Sequence, residues 1–65
     1  MTEMYAKSNI RKNLVEFVET MKQREARYVL SYCMGYYGTI TQNVWDVVNE
    51  LWAEGVIEWE RGEWQ

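Results

Sequence analysis

Histidine and proline are absent from this 65-residue sequence, and cysteine and phenylalanine occur once each. Each absence removes a class of chemistry. Without histidine the commonest general base is missing. A zinc site would have to be assembled from one thiolate and scattered carboxylates, a poor donor set. The lone Cys33 excludes an internal disulfide. With no proline and only four glycines (Gly35, Gly38, Gly55 and Gly62), glycine is the main punctuation of the chain. No apolar run approaches the roughly 20 residues of a membrane span, and the first residues lack the apolar core of a signal peptide. The expectation is therefore no metal, no cofactor, no enzymatic activity and no membrane insertion. A lone cysteine in an apolar helical context fits a reducing, cytoplasmic setting.

What the chain does have is aromatic mass: four Trp, five Tyr and one Phe. A chain this short buries only about 60% of its unfolded surface and is marginal alone. Small scaffolds offset this with disulfides, metals, dense aromatic packing or oligomerisation. The first two are excluded, so residues 1–65 read as one tightly packed domain, with a homodimer as the other expected source of stability. The formal charge of −3 is uneven. Residues 1–27 carry Lys7, Arg11, Lys12, Lys22, Arg24 and Arg27 against four glutamates; residues 28–65 carry Arg61 against Asp46 and five glutamates.

Periodicity gives three helices. Ile10, Leu14, Phe17, Val18 and Met21 form one apolar stripe, with Ser8 as the expected cap. Ala26, Val29, Leu30, Cys33 and Met34 form a second, ending at Gly35 or Gly38, with Tyr28, Tyr32 and Tyr36 along its flank. These tyrosines either pack beneath the N-terminal segment and the C-terminal hairpin or face a partner, since tyrosine is enriched at interfaces. In "GTIT", Ile40 is placed to add a short strand edge, and Thr39 or Thr41 caps the third helix. That helix turns Val44, Val47, Val48 and Leu51 inward and Asn43, Asp46, Glu50 and Glu54 outward, with Trp45 and Trp52 on its flanks. Gly55 ends it in the left-handed conformation. "VIEWERGEWQ" then predicts a hairpin turning at Arg61-Gly62, with Ile57, Trp59 and Trp64 on one face and Val56, Glu58, Glu60 and Glu63 on the other.

The fold class expected is mainly α with a small β-hairpin. The order helix, helix, Thr-Ile segment, helix, glycine, hairpin resembles the winged helix-turn-helix superfamily over residues 23–64. The stretch "VVNELWAEGVIEWERGEW" carries the likeness through its Leu-x-x-x-Gly-x-Ile step from helix to wing. One departure is visible: Gly35 to Thr41 leaves no room for the short helix that many members place before the recognition helix. The resemblance implies a third helix that enters a major groove. Affinity for DNA rests on neutralising phosphates, and the outward stripe expected here is acidic. The first functional expectation is thus a protein-interaction module, a regulator or inhibitor of a basic or nucleic-acid-handling protein. Its compact acidic style is similar to phage- or mobile-element-encoded modulators. Asp46, Glu50, Glu54 and Arg61 would supply the charge, and Trp45 or Trp52 the apolar anchor. The alternative is a dimeric sequence-specific DNA-binding regulator using Gln42, Asn43, Asn49 and Arg61, with Arg11, Lys12, Lys22 and Arg24 as its basic footprint. A third is an oligomer assembled through the tyrosine and tryptophan faces.

Cys33 offers no reactive thiol on this reading, because it lies on an apolar stripe. Carboxylate pairs occur at helical spacing (Asp46 with Glu50, Glu50 with Glu54), but nothing in the sequence separates their acidities as acid–base catalysis requires.

Overall fold

The computed structural model describes residues 5–59, which form three helices: α1 (Lys7–Met21), α2 (Ala26–Tyr37) and α3 (Gln42–Ala53). The expected stripes meet in one core. Ile10, Leu14 and Val18 come from α1, Ala26, Val29, Leu30, Cys33 and Tyr37 from α2, and Val44, Val47, Val48 and Leu51 from α3; Ile57 closes it from beyond the last helix. Helix α1 lies chiefly against α3 and to a lesser extent against α2. Among the described residues no helix is long and apolar enough to cross a membrane.

The helix ends differ from expectation where tertiary contacts intervene. Helix α1 starts earlier than Ser8: Ala6 holds the cap position without a side-chain cap bond, and its carbonyl accepts from Ile10 N at 2.9 Å. The contacts of Tyr5 account for this. Its carbonyl accepts from Asn43 Nδ2 at 3.0 Å and its ring lies 5.7 Å from that of Tyr37, which holds the preceding segment against the core. At the other end Lys22 takes the left-handed conformation (φ 60°) and donates its backbone N–H to Val18 O at 2.9 Å. Met21, expected on the stripe, is exposed, as is Met34 of α2.

Helix α2 runs through Gly35 and stops at Gly38 (φ 80°), whose N–H bonds Met34 O. A glycine inside a helix costs roughly 0.5–1 kcal/mol relative to alanine, and a Cβ built on Gly35 meets nothing within 4 Å. Thr41, not Thr39, caps α3, its hydroxyl accepting from Val44 N at 3.3 Å. Ile40 is half-buried and forms no strand. After α3 the chain reverses at Gly55 (φ 85°), with Val56 N bonded to Leu51 O at 2.8 Å.

The first arm of the expected hairpin has the predicted alternation, with Ile57 buried and Glu58 exposed, but a different partner. Glu58 pairs in parallel with Glu25, in the connection between α1 and α2: Glu58 N donates to Arg24 O at 2.8 Å and Ala26 N donates to Glu58 O at 2.7 Å. The described residues therefore contain no β-hairpin. The Arg61-Gly62 turn, Glu60, Glu63 and Trp64 lie outside them. The connection's free backbone groups and the fork of Arg24 satisfy the strand-like segment. Arg24 Nε donates to Val56 O at 3.2 Å, its Nη2 donates to Gly55 O, and the same nitrogen lies 3.5 Å from Glu58 Oε2.

Candidate interaction surface on the third helix

With its valines and Leu51 turned inward, α3 has two further faces, and the acidic residues divide between them. The first faces α1. Asn43 reaches the Tyr5 carbonyl, Glu50 Oε2 lies 3.2 Å from Lys7 Nζ, Glu50 Oε1 lies 3.7 Å from Arg11 Nη1, and Glu54 accepts from Arg11 Nη2. Lys7 and Arg11 are four residues apart, as are Glu50 and Glu54, so two one-turn rows meet across the seam. The Arg11 hydrogen bond holds the Glu54 carboxyl below the usual carboxylate range, and the bond to Glu54 raises Arg11. These acids were expected to point outward toward a partner. They are solvent-accessible, but their charge is already matched within the chain.

The second face points to solvent. It carries Gln42, Trp45, Asp46, Asn49, Trp52 and Ala53, one stripe at helical spacing. Asp46 is its sole acid and accepts from Gln42 Nε2 at 3.0 Å. Asn49 is exposed, and its side chain makes no hydrogen bond among the described residues. Trp45 is half-buried against the core, whereas Trp52 keeps 52% of its surface exposed. Trp59 meets Trp52 edge to face, with centroids 6.4 Å apart and planes at 88°. The outward stripe is thus aromatic and amide-bearing. Trp59 was expected to serve the hairpin; its place beside α3 follows from the pairing of Glu58 with Glu25, which no local pattern announces.

The basic residues expected as a nucleic-acid footprint are dispersed. Arg11 is bonded to Glu54 and Arg24 to the backbone after α3; the neighbouring Arg27 Nε donates to Glu25 Oε1 at 3.2 Å. Lys12 and Lys22 form no ion pair among the described residues, and Arg61 lies outside them. No group of three potential metal ligands occurs among the described residues. Burial pushes the Cys33 thiol up to about 11, so it stays protonated and unreactive near neutral pH.

The seam between α1 and α2 carries a feature the sequence reading did not name. Asn13 Nδ2 donates to the Tyr37 hydroxyl at 3.0 Å while its Oδ1 accepts from the Tyr32 hydroxyl at 2.7 Å. Burial raises the Tyr37 hydroxyl's pKa, and the Asn13 contact works against that shift. Asn13 falls one residue from the apolar stripe, and its spacing alone gave no hint of two tyrosine partners. No protein-family model, no curated protein and no solved structure was found to match this chain.

Proposed function

We propose that this protein is a small, winged-helix-like interaction module that binds a protein partner through the solvent face of α3. The observation that carries the reading is Trp52. A marginal 65-residue chain gains most by burying a large indole, yet this one stays half-exposed beside Trp59, on the same stripe as Trp45 and Asn49. Exposed aromatics ringed by polar side chains are the usual energetic centres of protein interfaces. The net charge of −3 favours encounter with a basic partner, such as a nucleic-acid-handling protein, through long-range steering. Within that reading Asp46, Asn49, Trp45 and Trp52 make the contact, while Glu50 and Glu54 order α1 against α3.

A dimeric DNA-binding regulator is the second reading, favoured by the exposed amides of Gln42 and Asn49 on that same stripe. Its weakness is the spending of Arg11, Arg24 and Arg27 on intramolecular partners. Two experiments separate the readings. A photo-crosslinker at position 49 should capture one discrete protein in cells, while the same probe at position 12 on α1 should not. Titration of fluorescent mixed-sequence duplex DNA should show no binding even at low salt. Binding that falls steeply with salt would show several phosphate contacts and overturn the protein-partner reading.

A further inference from the structure

A second surface lies on the far side of α1, independent of the α3 stripe. Phe17 stacks on Tyr32 with centroids 4.4 Å apart, and Tyr32 stacks on Tyr36 at 5.6 Å. Met21, one turn beyond Phe17, and Tyr28, one turn before Tyr32, extend the same patch; both are exposed, and Tyr36 keeps 54% of its surface open. Half-exposed side chains of this size leave an apolar patch of roughly 400 Å², the range in which a patch on a small protein is commonly an interface. In its midst sits Gly35, helical, with open space where a Cβ would project. No neighbour among the described residues requires a glycine there, so its helix penalty is unexplained within the folded chain.

From this geometry we infer that the face covers a second copy of the chain, with the two α2 helices packed antiparallel about a two-fold axis near Ser31 and Tyr32. The patch is complementary to itself in that arrangement. Tyr28 and Gly35 are seven residues apart, about two helical turns, so each Tyr28 ring enters the gap over the partner's Gly35. Arg27, whose guanidinium lies 5.2 Å over its own Tyr28 ring and bonds Glu25, would stand at the rim of that contact. Two such patches with their polar rims bury about 1,000 Å² in total, the size a specific interface needs. A chain with no disulfide and one small core has the most to gain from that burial.

Sedimentation equilibrium from about 1 to about 500 µM tests this. The wild type should pass from a species of 7.9 kDa to one of twice that mass. Gly35→Gln should weaken the dimer at least about tenfold while its helicity and melting temperature at low concentration match or exceed those of wild type, because the side chain enters open space in the monomer. Tyr36→Lys, which leaves the helix backbone unaltered, should weaken it to a similar extent, so the test does not rest on one variant's folding. A species of 7.9 kDa throughout the range would overturn the assignment, and so would a dimer indifferent to both substitutions.

Discussion

Helix α1 makes two seams, and they are built from different materials. Toward α3 the interior is aliphatic (Ile10, Leu14, Val47, Leu51) and the rim is charged: Lys7 and Arg11 against Glu50 and Glu54. Toward α2 the rim is aromatic and neutral, with Phe17 stacked on Tyr32 and Asn13 joining the hydroxyls of Tyr32 and Tyr37. Charges at a solvated rim give alignment and little stability, so the α3 seam must draw its strength from its interior. The α2 seam keeps polar groups partly out of water, where losing a partner is expensive. One helix therefore registers against one neighbour by charge and against the other by hydrogen bonds.

That contrast can be broken most severely from the inside. Leu51→Ala removes a fully buried α3 side chain from the shared core and should cost about 2–5 kcal/mol, enough to unfold much of the population of so small a domain. Urea denaturation followed by circular dichroism measures it; a loss near zero would mean that the α3 seam is not held by its aliphatic interior. Next comes Asn13→Ala, which strips both tyrosine hydroxyls of their shared partner and should cost about 1–3 kcal/mol in the same assay. If it costs no more than an ordinary surface change, water replaces the amide and the claimed difference between the seams disappears.

The smallest effect belongs to the charged rim, where pH supplies the sign. The Glu54 carboxyl has its acidity raised in the fold, by the Arg11 hydrogen bond first. Its contribution is therefore present above the unfolded-state value and lost as pH falls through the folded-state value. Thermal melts at descending pH should show wild-type stability declining across the acidic limb, and Glu54→Gln should flatten part of that decline while changing neutral-pH stability little. A steeper acid limb in the variant would contradict the assignment. Arg11, whose proton is held still more firmly, stays charged across the whole accessible range.

Much of this fold was readable from spacing. The residues at i, i+4 and i+8 of the first helix, and the Val44, Val47, Val48 and Leu51 set of the third, are the core because apolar periodicity is a property of the chain itself. The charges were not readable in the same way. Asp46, Glu50 and Glu54 share an apparent polar stripe, yet which way each points depends on where α1 crosses α3, a relation between distant segments. Asp46 remained on the solvent face; Glu50 and Glu54 turned toward Lys7 and Arg11. Ser8 lost its expected capping role because Tyr5, held by Asn43 and Tyr37, extends the helix past it. The segment after Gly55 showed a strand's alternation, but nothing local revealed that Glu58 would pair with the connection at Glu25. The candidate surface was legible in its members Trp45, Asn49 and Trp52, and Trp59 joined them only through that pairing.

Whether Trp52 is exposed for a partner is tested most directly by one comparison: photo-crosslinking from position 49 in wild type and in Trp52→Ser. Trp52→Ser removes the edge-to-face contact with Trp59 and should lower the melting temperature modestly, so the crosslink is read at a temperature where both proteins are folded. A discrete crosslinked protein is expected in wild type and should disappear in the folded variant. An undiminished crosslink in the Trp52→Ser protein would contradict it.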